Sequence, residues 1–106
     1  VAQAPLGWAA LRRAIYKRDR GICQVCLTRV GRQWDCGHLV ERYLGGPDSL
    51  ENCYLSCVHC NRGGDKPVHT TLPEALAWLA AQQEMARGLA QEHPDWVPFW
   101  QALSGR

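Results

Sequence analysis

Apolar residues recur at helical spacing near the start of the chain. Trp8, Leu11 and Ile15 form a stripe, and Arg12, Arg13, Lys17 and Arg18 lie off it. That pattern predicts an amphipathic helix over residues 6–19, with Gly21 as its stop. The stripe is expected in the core, and the basic side is exposed and available to phosphates. The period then changes. Residues 33–40 fit a strand with Trp34, Leu39 and Val40 as its apolar members. Residues 43–51 (YLGGPDSLE) read as a loop, because Gly45, Gly46, Pro47 and Asp48 interrupt any regular element. Residues 52–56 are a second short strand containing Cys53, Tyr54 and Leu55. Residues 57–62 start a helix that Gly63 and Gly64 end. The order is strand, loop, strand, short helix: a ββα unit in a small α+β fold.

Downstream, Thr71-Leu-Pro-Glu74 fits a capping box that opens a helix running to about Gln91. Leu72, Leu76, Leu79 and Gln83 are expected near one face, with Ala75, Trp78 and Met85 beside it. His93-Pro94 breaks this helix, and Asp95 caps a last one over residues 96–103. There Trp96, Phe99, Trp100 and Leu103 repeat at helical spacing and read as core or docking surface.

At 106 residues the chain is one domain with a modest core. Its expected divisions are an N-terminal helix (1–22), a ββα core (23–67) and a C-terminal helical extension (68–106). No secretory pattern and no bilayer-length apolar run is visible, so a reducing cytoplasm is the expected setting. The net charge of +2 is unevenly placed. Residues 1–69 carry ten Lys/Arg against six Asp/Glu, and the rest two against four. A basic half that also holds the cysteines is expected to face a polyanion.

Cys23-x-x-Cys26 and Cys57-x-x-Cys60 predict two knuckles that close one tetrahedral zinc site, with no open position for substrate. Two disulfides are the alternative. The ion's expected role is structural, with about 10 kcal/mol of folding free energy supplied on binding. Cys36 and Cys53 are left over and read as small buried apolar residues. A lone histidine on an apolar run is ordinarily a satisfied core residue. His38 is set apart by its company, since Asn52 follows across the loop and Asn61 and Asp65 stand on or just after the short helix. Oxygen donors such as Asn61 and Asp65 suit Mg²⁺ or Mn²⁺, and a neutral imidazole suits a general base for water. Such a set can run metal-assisted phosphodiester hydrolysis.

RDRGICQVC, DCGHLVER and GGPDSLENCYLSCVHCNRGGDKP, in this order, resemble the HNH endonucleases of ββα-metal fold. The likeness runs from about Arg18 to Pro67 and is to the zinc-bearing branch, in an H-N-N variant. The resemblance implies that His38 activates water, that Asn52 ties the loop and orients the histidine, and that Asn61 is a metal ligand. Many members carry a metal ligand just before the catalytic histidine, where this chain has Gly37. Asp35, two residues earlier, would project to the same side of a strand and is the expected substitute; Asp65 is the other candidate. Arg42 and Arg62 are the expected phosphate contacts. The implied partner is DNA, cut to 5′-phosphate and 3′-hydroxyl ends, with a homodimer as one route to a double-strand cut. The reading from another class is a non-catalytic zinc-ribbon module that binds nucleic acid or protein.

Overall fold

Leu11 and Ile15 lie about one helical turn apart, and both are fully buried, so the apolar stripe fixes helix α1 (Trp8–Asp19). The computed structural model describes residues 7–63 and 66–95. Trp8 leaves the expected stripe: it is 43% exposed, and its ring takes the Arg42 guanidinium 5.0 Å from its centroid. The helix ends at Asp19, two residues before Gly21. Arg20 adopts the left-handed conformation (φ 60°), and Gly21 follows with φ +69°.

The basic side of α1 is partly spent on the fold. Arg18 donates to the carbonyls of Leu50 (2.5 Å) and Cys53 (2.7 Å), and Asp19 accepts the Leu55 N–H (2.9 Å). Arg12 lies 3.8 Å over the Trp34 ring and donates to the Trp34 carbonyl. Thus Arg12 and Arg18 tie α1 to the hairpin, while Arg13 and Lys17 remain exposed.

Strands β1 (Asp35–His38) and β2 (Cys53–Ser56) pair antiparallel, from Asp35 opposite Ser56 to His38 opposite Cys53. The first strand is half the expected length. Beyond Leu39 the ladder is replaced by a side chain: the Val40 N–H donates to Asn52 Oδ1 (3.0 Å), and Asn52 Nδ2 donates to the Val40 carbonyl (2.9 Å). A carboxamide that satisfies both backbone groups of Val40 ends the strand without leaving them unpaired. The connecting loop begins with a 3-10 turn at Arg42–Leu44. Gly46 then passes so close to the chain that an added Cβ would sit 1.8 Å from the Val40 carbonyl oxygen. Helix α2 (Val58–Arg62) follows β2 directly, with Cys57 as its N-cap.

The capping residue of helix α3 (Leu72–Glu92) is Thr71, whose hydroxyl accepts the Glu74 N–H at 3.4 Å. Its seated face is narrower than its apolar spacing suggests. Ala75 and Ala86 are buried and Leu72, Trp78 and Leu79 are half-buried, whereas Leu76 (48%) and Met85 (60%) are exposed. Small residues let the helix approach Leu39 and Tyr54 closely, and the larger ones are left outside. Gln83 donates to Gln24 Oε1 at 3.2 Å, which ties α3 to the first knuckle. The helix expected at 96–103 lies outside the described residues. Among those described, no helix is long and apolar enough to cross a membrane.

Two clusters form the core. Leu11, Ile15, Val30 and Leu55 pack around Cys23, Cys26, Cys53 and Cys57 on one side of the hairpin. Leu39, Tyr54 and Ala75 form the other.

Candidate active site

The first C-x-x-C pair is set by backbone turns. The Cys23 N–H donates to the Thr28 carbonyl, the Leu27 N–H to the Cys23 carbonyl, and Leu27 takes the left-handed conformation (φ 62°). The second pair opens α2, where Cys57 Sγ accepts the Cys60 N–H at 3.4 Å. All four sulfurs lie within 4.8 Å of one another, and none is in a disulfide. Held this close, the four thiols interact with one another, and their acidities are pushed apart. Cys23 is pushed down by its bonds with Cys26, Cys57 and Cys60, while Cys60 is pushed up by those to Cys23, Cys26 and Cys57. A divalent ion bound there would be held by Cys23, Cys26, Cys57 and Cys60 as thiolates. Four converging sulfurs form a closed, soft-donor cluster of the kind that holds zinc.

His38 sits at the end of β1 and is only 8% exposed. Its Nε2 lies 2.8 Å from Asp48 Oδ1. Asp48 also receives Arg42, whose Nε donates to Oδ1 (2.9 Å) and whose second amine donates to Oδ2 (3.3 Å). Hydrogen bonding from His38, and then from Arg42, holds the Asp48 carboxyl below the usual carboxylate range. Asp48 is a residue that the sequence reading assigned only to loop punctuation. Arg42 stands paired to Asp48 rather than unpaired in solvent.

Asn52 is 3% exposed and uses its whole carboxamide on the backbone. Besides its two bonds to Val40, Nδ2 donates to the Pro47 carbonyl at 3.0 Å. These bonds fix the loop that delivers Asp48 to His38.

Asn61 and Asp35 are brought together. Asn61 Nδ2 donates to Asp35 Oδ2 at 3.1 Å, and Arg62 donates to both Asp35 oxygens at 2.7 Å. Burial pushes the Asp35 carboxyl up, but the bonds from Arg62 and Asn61 outweigh it, and the net shift is downward. The Asn61 carbonyl oxygen receives Lys66 Nζ at 3.2 Å. Lys66 also bonds the His38 carbonyl (3.2 Å) and Glu41 Oε2 (3.1 Å). Three oxygens thus converge on one positive charge beside the histidine. Asp35, His38, Glu41, Arg42, Asn61 and Arg62 line a single open cleft of about 480 Å³. Asp65 lies outside the described residues.

The place before His38 is physically closed to a larger residue. A Cβ on Gly37 would lie 2.5 Å from the ring of Tyr54, its partner across the hairpin. That ring is buried at 2% exposure, and its hydroxyl, also buried, has no hydrogen-bond partner. Glycine is required there because an aromatic ring fills the space. Neither the role of Tyr54 nor the positions of Glu41 and Lys66 could be read from residue spacing.

No curated protein and no solved structure matches the chain. Residues 23–64, from the first knuckle through the short helix, match the model of the HNH endonuclease family.

Proposed function

We propose that the chain is a metal-dependent DNA endonuclease in which His38 is the general base. The observation that carries this reading is that His38, fixed by Asp48, opens onto the same cleft as Asn61 and Asp35. Imidazole and oxygen donors then serve one phosphodiester from two sides.

His38 takes a proton from water, and the resulting hydroxide attacks phosphorus in line with the 3′ oxygen. Asp48 holds the ring by one nitrogen and leaves the other for that proton. Asn52 keeps the loop under Asp48. The donor set at Asn61 and Asp35 is all oxygen, and a nearby ammonium is already held by three oxygens, which fits a hard cation. Mg²⁺ or Mn²⁺ on Asn61 and Asp35 would supply charge neutralisation at the phosphate and leaving oxygen. Arg62 and Arg42 border the cleft and would meet the flanking phosphates once they exchange their carboxylates for DNA. The four cysteines would hold a structural Zn²⁺ that takes no part in the chemistry. One such cleft cuts one strand, so double-strand cleavage needs two copies or two successive events.

The test is plasmid nicking with and without Mg²⁺ or Mn²⁺, for the native chain and His38→Ala. Removing a general base is expected to lower the rate about 10²–10⁴-fold, with zinc content and circular dichroism unchanged. Equal nicking by His38→Ala would remove the catalytic assignment. No nicking by the native chain with either metal would leave a zinc-held binding module.

A further inference from the structure

His38 and Cys53 face each other across the hairpin as register partners. At the next position the Leu39 N–H bonds the Asn52 carbonyl (2.8 Å). His38 and Cys53 are therefore the non-hydrogen-bonded pair, where side chains of opposed strands come closest. Asp48 reaches the same imidazole from the loop. An imidazole nitrogen, a thiol sulfur and a carboxylate oxygen consequently lie within 4.8 Å of one another.

This donor set differs in kind from the oxygens at Asn61 and Asp35. Nitrogen and sulfur with one carboxylate suit a borderline transition metal rather than Mg²⁺. Zinc with three protein ligands keeps a fourth position for water or another small ligand. With bonds of about 2.0–2.3 Å, a tetrahedral ion needs its ligands about 3.3–3.8 Å apart. Asp48 Oδ1 already lies 2.8 Å from His38 Nε2, and neither that oxygen nor Cys53 Sγ is committed to the backbone by a short bond. Cys53 Sγ makes only a 3.9 Å contact with the Pro47 carbonyl, and Asp48 is exposed on its loop. Cys53 has no part in the hydrolytic scheme above.

We propose that His38, Asp48 and Cys53 form a second transition-metal site, selective for Zn²⁺ over Mg²⁺, and that filling it withdraws His38 from proton transfer. The binding half stands alone; the inhibitory half rests on the hydrolytic reading.

The experiment is zinc stoichiometry by equilibrium dialysis against buffered Zn²⁺, with elemental analysis of the protein and circular dichroism to verify folding. The native chain should bind two zinc ions. Cys53→Ala should bind one and Asp48→Ala one, while Asn61→Ala should keep two. Asp48 is exposed, so its variant decides the matter if Cys53→Ala does not fold. One zinc on the native chain, or two on either ligand variant, would overturn the site. Loss of the second ion in Asn61→Ala alone would place it on the cleft oxygens instead, which also overturns it. In the nicking assay, micromolar Zn²⁺ should suppress Mg²⁺-dependent cleavage by the native chain and not by Cys53→Ala. A native chain that does not nick at all defeats the hydrolytic reading, and the stoichiometry still decides the metal site.

Discussion

Two regions beside the hairpin treat polar atoms in opposite ways. In the cysteine cluster, four sulfurs converge, three of the residues are buried, and Cys23 is wholly so. At the cleft, three carboxylates are already engaged by cations: Asp48 by Arg42, Asp35 by Arg62 and Glu41 by Lys66. The first arrangement is saturated by one ion and then has nothing left to offer. The second is a set of replaceable contacts, each of which a phosphate or a cation can take over. Permanence and exchange are what separate a structural ligand set from a reactive one.

The sharpest way to break that contrast is to remove one member of the saturated set. Cys57→Ser leaves three thiolates and also removes the sulfur that caps α2. Structural zinc contributes about 10 kcal/mol or more in small domains, which exceeds the whole stability of most of them. The expected result is an unfolded chain with less than one bound zinc, seen by circular dichroism and elemental analysis. A chelator should give the same outcome in the native protein. A folded, zinc-free Cys57→Ser would show that the hydrophobic clusters suffice without the clamp.

Next in size is the carboxamide that joins the two regions. Asn52→Ala strips Val40 and Pro47 of three backbone partners in a buried setting. Leaving such groups unpaired costs about 1–3 kcal/mol, so thermal unfolding should shift down by several degrees with zinc still bound. Cleavage should fall further than stability does, because the loop carrying Asp48 loses its tether. A variant with native melting and native activity would deprive Asn52 of its role in holding the loop.

How much of this was legible in the sequence follows from the same contrast. The sulfur site announces itself because cysteine pairs at x-x spacing have few other uses, and His38, Asn52 and Asn61 stand out through a spaced motif. Asp48, Glu41 and Lys66 do not, since each is a common surface type whose partner is chosen by the path of a loop. Tyr54 looked like one apolar member of a short strand, yet its ring is what dictates Gly37. Likewise the periodicity of α3 located the helix and most of its seated face (Leu72, Ala75, Trp78, Leu79, Gln83), but not the exposure of Leu76 and Met85. The buried positions, Ala75 and Ala86, are small, and an apolar stripe weights large residues such as Leu76.

The Asp48 bond offers a smaller, purely kinetic test of exchangeability. Asp48→Asn keeps the shape of the side chain but loses its charge, so His38 is less firmly oriented and less stabilised when it takes a proton. A drop of about tenfold in kcat, with little change in KM, is the expected outcome at neutral pH. An effect on KM alone would reassign Asp48 to arranging Arg42 for substrate.

The smallest effect expected is also the most diagnostic, because two readings of Arg62 predict opposite signs for it. Arg62 is 70% exposed and covers both oxygens of Asp35, so its own contribution to stability is slight. In Arg62→Ala those oxygens are released, with Asn61 still donating to one of them. If Asp35 is a metal ligand, as proposed, the Mg²⁺ concentration for half-maximal nicking should fall a few-fold, since the cation no longer competes with a guanidinium. KM for DNA should rise over the same range, because a phosphate partner is gone. A half-saturating Mg²⁺ that stays level or rises would mean that the guanidinium was arranging Asp35 rather than occupying it. Asp35 would then belong with Asp48 among the positioning carboxylates, and Asn61 would need another oxygen partner for the cation.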